Sequence, residues 1–181
     1  MIVGLMLVKR NSSRLPNKNI LPVNGKPMYL VNLEKCLKIF DRVYVSSDSQ
    51  SILDEAEGRG AIGILRDKEL CGDTPNIPVY QNALEYIDNA DGFVAIQANS
   101  PTIDPKIIIK AKKYLENGGT EVMTCHTENP DNTLYGSVWG MTFKRLKDYG
   151  DPYKPTPDFL IDDPSVDIHT LEDYNKVLNE K

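Results

Sequence analysis

The chain has 181 residues, 40% of them hydrophobic and 26% charged, and its 21 Lys+Arg against 26 Asp+Glu give a net charge of −5. That size fits one domain burying about 70% of its unfolded surface, which needs neither disulfide nor structural metal, and the many short apolar runs exclude a disordered chain. Net acidity argues against a general nucleic-acid binder, no apolar run approaches the ~20 residues of a membrane helix, and Cys36, Cys71 and Cys125 form no CxxC pair.

Met1–Val8 has no basic lead-in and no cleavage pattern. It therefore reads as structure rather than a signal peptide, and reducing cytoplasm is the expected compartment. Within it, Ile2–Val8 is almost continuously apolar, as a strand buried on both faces should be. A polar loop, Lys9–Asn24, follows, ending at the turn pair Asn24-Gly25. Pro27 opens a helix that carries Met28, Leu30, Leu33, Leu37 and Phe40 at roughly helical spacing. Arg42–Ser47 is a second strand, Asp48 or Ser49 caps a helix to about Glu57, and Ala61–Leu65 is a third strand. Residues 66–76 are a loop, Pro78–Ile87 a helix, Gly92–Gln97 a fourth strand, and Asp104–Leu115 a helix behind a T-x-D-P start. Glu121–Cys125 and Ser137–Phe143 are further strands, and Thr170–Asn179 is the closing helix, with Thr170 and Asp173 at capping-box spacing.

Strands alternating with helices predict an α/β domain with a mostly parallel sheet covered by helices. Ligands of such sheets sit beyond the carboxyl ends of the strands, which singles out the loops 9–24, 46–49, 66–76, 97–104 and the stretch around 163–169. Charge picks out two of them. Residues 1–38 hold seven bases and one acid, and Asp148–Lys181 holds nine acids and three bases. A basic loop and an acidic segment that meet across a site would suit a polyanion and its metal ion. The first loop follows a strand as a phosphate loop does, but it has no G-x-G-x-x-G and no Walker pattern. What it offers a phosphate is Lys9, Arg14 and Lys18, with the hydroxyls of Ser12 and Ser13.

The residues K-x-x-S-x-R-L-P-x-K-N-I from Lys9, followed by P-V-N-G-K-P, resemble the opening of the CMP-sugar-acid synthetases. These are the acylneuraminate cytidylyltransferases and their relatives for other nonulosonic acids and 3-deoxy-octulosonate. Four later blocks are similar in order and register: V-S-S-D-S-Q-S-I, L-R-D-K-E-L-C-G-D-T, A-I-Q-A-N-S-P and V-D-I-H-T-L-E-D-Y. Together they cover most of the chain outside 126–160. Three positions depart from the pattern, with Lys9 for Arg, Asn11 for Gly and His169 for Asp.

The resemblance implies a single GT-A-like, Rossmann-like nucleotidyltransferase domain over residues 1–181, with 126–160 a reduced form of the family's dimerisation and acceptor segment. It implies the reaction of CTP with a small anionic sugar acid to give a CMP-sugar and pyrophosphate. Lys9, Lys18 and Asp167 would be catalytic. Lys9, Ser12, Lys18, Asn19, Arg66 and Asp73 would bind the nucleotide, and Gln97, Asn99 and Ser100 the acceptor. Mg²⁺, or Mn²⁺, would be the cofactor, and a homodimer is compatible with the pattern. Asp167 and His169, at i and i+2 of an extended segment, share a face and could both reach one ion. Mg²⁺ prefers oxygen donors, whereas an imidazole suits Mn²⁺ or Zn²⁺. Asp167 and His169 together, Asp167 with waters, or help from Asp162 or Asp163 are the arrangements left open at this level. Other functions stay open beside it: a nucleotide-binding protein of this fold with weak or lost turnover, which the changed positions would suit, and a nucleotidyltransferase or glycosyltransferase of this fold with a different acceptor.

Overall fold

The computed structural model describes residues 1–126 and 134–179. In chain order its strands are Ile2–Val8 (β1), Pro22–Val23 (β2), Lys26–Pro27 (β3), Val43–Ser47 (β4), Ile62–Leu65 (β5), Gly92–Ile96 (β6), Glu121–Cys125 (β7), Leu134–Thr142 (β8) and Phe159–Asp162 (β9). The helices are Met28–Ile39 (α1), Gln50–Gly58 (α2), Asn76–Leu84 (α3), Pro105–Glu116 (α4), Phe143–Lys147 (α5) and Leu171–Asn179 (α6).

Seven strands form one sheet in the order β5-β4-β1-β6-β8-β7-β9. β1 runs parallel to β4 and β6, β5 parallel to β4, and β9 parallel to β7, while β8 is antiparallel to both its neighbours. The expected mostly parallel sheet is therefore present, with β8 its inverted member. β1 is central and buried on both faces, as its unbroken apolar run requires. Met6 and Val8 pack with Leu30, Leu33, Leu53 and Ile108 under α1, α2 and α4. Val3 and Leu5 face the other way, onto Ile77, Tyr80, Ala83 and Leu146 under α3 and α5.

A third, small cluster joins the two ends of the chain. Val23, Met28, Ile168 and Val177 pack together, with Leu21, Val166 and Tyr174 against them. The β2–β3 hairpin turns at Asn24-Gly25, both at positive φ (52° and 77°), as a tight two-residue turn demands. Tyr174 Oη in α6 donates to Pro22 O at 2.6 Å. This cluster brings the segment before α6 beside the first loop.

Several boundaries differ from the expectation for identifiable reasons. Pro27 belongs to the hairpin and precedes α1 rather than starting it. Ser49 occupies the N-cap of α2, but its hydroxyl pairs with Ser51 Oγ at 3.0 Å and Asp48 Oδ1 accepts from Arg10 N at 2.7 Å, so neither caps with its side chain. α3 starts at Asn76, which leaves Pro78 in the first turn where its missing N–H is not needed, and ends at Leu84. The last strand of the antiparallel pair stops at Thr142 because the Thr142 hydroxyl accepts from Arg145 N at 3.2 Å and caps α5. β2, β3, α5 and β9 have no counterpart as elements in the sequence reading, which placed β2 in the first loop and β3 at the helix start. Asp104 and Asp173 cap as their spacing suggested: Asp104 Oδ1 accepts from Lys106 N, and Asp173 Oδ2 accepts from Thr170 N while Asp173 N donates to Thr170 Oγ1. Of the stretch 126–160, residues 127–133 lie outside the described residues. Among the described residues no helix is long and apolar enough to cross a membrane.

Candidate active site

The loops that follow β1, β5 and β6 converge at the carboxyl ends of those strands, and Asp167 and His169 from the segment before α6 complete the lining. Between them lies a cleft of about 480 Å³, within the usual range for a small-molecule site. Lys9 comes directly after β1. Its Nζ donates to Gly72 O across the cleft, and its carbonyl accepts from Asn19 Nδ2 at 3.0 Å. Asn17 takes the left-handed conformation (φ 54°) and starts a tight turn over Lys18–Ile20. That turn folds Lys18 and Asn19 inward until they are only 9% and 7% exposed. Asn19 Oδ1 is buried there without a hydrogen-bond partner.

Burial pushes the Lys18 ammonium below the usual lysine range, with Arg14 and Lys9 adding to the shift and Asp167 opposing it. Arg66 follows β5 and is 4% exposed. Its Nε donates to Ser46 Oγ at 3.2 Å and its terminal nitrogen to Ser46 O at 2.9 Å, so β4 fixes the guanidinium plane. Burial lowers its pKa as well. Lys9, Arg14, Lys18 and Arg66 thus line a single cleft together with the acids Asp73 and Asp167.

Asp167 is held from three sides. Asn99 Nδ2 donates to its Oδ1, Ser100 Oγ lies 3.5 Å from the same oxygen, and His169 Nε2 sits 2.6 Å from Oδ2. The backbone clasps the same pair, with Ile168 N donating to Asn99 O at 2.9 Å. Burial pushes the Asp167 carboxyl up, against the pull of His169 and Lys18. His169 Nδ1 is buried without a hydrogen-bond partner.

Among the described residues no group of three or more His, Cys, Asp or Glu side chains could hold a metal ion. Mg²⁺, however, commonly takes one or two carboxylates and completes its shell with substrate phosphates and water. The pair of Asp167 and its neighbour His169, on the wall facing four cations, fits an ion that arrives with a polyphosphate. It does not fit a dedicated protein cage. Asp163 is fully buried and accepts from Ser137 Oγ, Ser165 N and Ser165 Oγ. It does not line the cleft.

The cleft brings together Lys9, Ser12, Lys18, Asn19, Arg66, Asp73, Gln97, Asn99, Asp167 and His169. Ser100, expected to face an acceptor, is instead fully buried beneath the wall, where its hydroxyl pairs with Tyr135 Oη at 3.2 Å. Sequence reasoning missed Thr74, Asn76 and Val79, which line the cleft at the start of α3. It also missed Tyr135, which sits in the chain stretch with the weakest periodicity. The rule that loops after strands carry ligands pointed towards residues 74–76, and Thr74 closes the L-R-D-K-E-L-C-G-D-T block.

Residues 3–137 match the cytidylyltransferase family. The chain belongs to that family. It is 34% identical to a pseudaminic acid cytidylyltransferase of Campylobacter jejuni over 115 residues, which are 59% of this chain and 50% of that protein. The chain spans about half the length of the curated relatives it matches. Its fold is that of the CMP:2-keto-3-deoxy-manno-octonic acid synthetase whose structure was solved with CTP. The two superpose with a TM-score of 0.77 at 15% identity, covering 98% of this chain and 96% of that one. A protein of Mycobacterium tuberculosis crystallised with manganese has the same fold, with a TM-score of 0.73 at 15% identity and 99% of each chain covered.

Proposed function

We propose that this cytidylyltransferase-family chain binds CTP in the cleft and transfers CMP to a hydroxyl of a sugar acid of the nonulosonic or 3-deoxy-octulosonic type, releasing pyrophosphate. One observation carries the reading: Lys9, Arg14, Lys18 and Arg66 line one cleft together with Asp167 and His169 at the carboxyl ends of the parallel strands.

The chemistry follows from that placement. The acceptor hydroxyl oxygen bonds to the α-phosphorus and gives up its proton to water, while the bond from that phosphorus to the oxygen bridging to the β-phosphate breaks and pyrophosphate leaves with the electron pair. Such a step is driven by alignment and by charge neutralisation. Lys18 and Lys9 stabilise the charge that builds on the leaving group, and Lys18 does so from a desolvated position where a charge acts strongly. Ser12 and Asn19 add neutral hydrogen bonds, and Arg66 orients the nucleotide from a guanidinium locked by Ser46. Mg²⁺ or Mn²⁺, when bound, adds Lewis-acid neutralisation of the phosphates. Asp167 would hold it, and His169 fixes the direction of the Asp167 carboxylate. Gln97 and Asn99 line the same cleft, Asn99 beside Asp167, and would meet the acceptor there.

A second reading has one observation in its favour. His169 already occupies Asp167 Oδ2, which weakens the carboxylate as a metal ligand and fits a CTP-binding protein with slow turnover. Thermal shift with the four ribonucleoside triphosphates, followed by pyrophosphate release against a panel of 2-keto sugar acids, separates the two. The proposal expects CTP to give the largest shift, and pyrophosphate to appear only with metal and an acceptor. A CTP shift without release on any acceptor supports the second reading. No shift with CTP overturns both.

A further inference from the structure

The helix after the hairpin contains two polar side chains on its inner face that the reaction described above does not use. Asn32 is fully buried in α1. Its Nδ2 donates to Gln97 O and to Ser100 O, both at 2.9 Å. One turn on, Lys35 Nζ donates to Asn32 Oδ1 at 2.9 Å, to Pro101 O at 2.7 Å and to Ile103 O at 2.9 Å. Three acceptors use all three ammonium protons, and burial pushes the Lys35 ammonium below its usual range. A lysine one turn along the helix from a buried amide is an expensive way to hold a turn, because both groups must be desolvated. An apolar pair would pack there at lower cost unless the position of that turn matters.

That turn is the one that aims Asp167. Residues 97–103 leave β6 and carry Asn99 and Ser100, which hold Asp167 Oδ1, and Asn99 O receives the Ile168 amide. Hydrogen bonds therefore tie Lys35 to Asn32 and Asn32 to the Gln97 and Ser100 carbonyls, the covalent backbone between those two carries Asn99, and Asn99 bonds Asp167. We infer that Asn32 and Lys35 are positioning residues that set the Asp167 carboxylate at the angle the metal-bearing phosphates require. The inference rests on the cytidylyl-transfer reading for what Asp167 does, but not for how it is held.

The variants are Lys35→Met, which keeps the apolar stem and removes the donors, and Asn32→Leu, which keeps the volume. Glu121→Gln is the matched control. Glu121 is as buried as Asn32, accepts from Trp139 Nε1, Arg145 Nε and Tyr149 Oη, and does not line the cleft. Two readouts are needed. In the ligand-free protein, amide hydrogen exchange at Ile168 should accelerate about tenfold or more in Lys35→Met while β1 amides keep their protection. Well below each melting transition, kcat should fall about tenfold or more with KM for CTP within about twofold. Glu121→Gln should lower the melting temperature without either change. Unchanged Ile168 exchange, or a kcat loss equal to that of Glu121→Gln at equal stability loss, overturns the positioning role. If Asn32→Leu does not fold, Lys35→Met alone decides the question. A wild-type chain that transfers no cytidylyl group to any acceptor refutes the proposed function, and the Ile168 exchange still tests the positioning.

Discussion

Lys18→Met offers the most discriminating perturbation, because it should cut activity without lowering stability. The Lys18 ammonium sits in a site that disfavours its charge, so its folded pKa lies below the unfolded value. A lysine whose pKa falls on folding destabilises the fold while it is protonated in both states, and the penalty fades as pH rises past the folded value. At neutral pH the charge is therefore a burden on the free protein. Replacing it with a methionine of similar length removes the burden and keeps the packing, so the melting temperature should hold or rise. Catalysis should move the other way. A unit charge about 4 Å from charge developing on a leaving phosphate is worth about 4 kcal/mol at an effective dielectric of about 20. That corresponds to about three decades in rate, close to the 10²–10³ loss typical when one preorganised donor is removed. The assay pairs pyrophosphate release in the presence of CTP, metal and acceptor with differential scanning fluorimetry of the free protein. Turnover within tenfold of wild type would refute the electrostatic role of Lys18. A large loss accompanied by a matching fall in melting temperature would refute the claim that the residue acts on the reaction rather than the fold.

His169→Asp places a second carboxylate beside Asp167. The metal concentration for half-maximal activity should fall about tenfold or more, and the metal-free protein should melt lower because two like charges then sit where an imidazole now contacts Asp167 at 2.6 Å. An unchanged metal titration would place His169 outside the ion's influence. Burial alone would raise the Asp173 pKa, but the amides of His169 and Thr170 and the Thr170 hydroxyl outweigh it and hold the carboxyl below its ordinary value. Its stabilisation is therefore full above the ordinary carboxylate range and is lost as pH falls through the folded value. Asp173→Ala should cost about 1 kcal/mol at neutral pH, with the gap to wild type in urea midpoint closing in acid. Gly92→Ala would put a Cβ 2.6 Å from Met141 O on the neighbouring strand β8. The backbone must shift to admit it, and the loss should be about 1–3 kcal/mol by chemical denaturation.

Some elements were legible because their cause is local. β1 is a run of seven residues with no polar side chain, and only a strand covered on both faces buries all of it. The α4 cap, Asp104 before Pro105, is a pairing of acceptor and missing donor that needs nothing from the rest of the fold. β9 was not legible. It is four residues long, half-exposed and at the sheet edge, and among the described residues its partner in the sheet is β7, some forty residues earlier. Its pairing with β7 comes from tertiary contact, which no short-range pattern records.

The active site divides along the same line. The cations of the first loop, and the extended D-x-H stretch that follows an acidic segment, are properties of the chain itself, as is the expectation that loops after strands hold the ligand. Their meeting is a tertiary event. Lys18 and Asp167 face one another because Val23, Met28, Ile168 and Val177 collapse into one small cluster and Tyr174 reaches back 152 residues to Pro22. The folding of Ser100 under the wall is of the same kind, since α1 and β8 supply the atoms that cover it. The amino-acid sequence by itself determined which residues carry charge and which strands lie at the centre, because both follow from side-chain chemistry within a few positions. Only the folded chain decided which of those charges share a cleft and which hydroxyls are withdrawn from it, because that depends on apolar contacts between segments far apart in the chain.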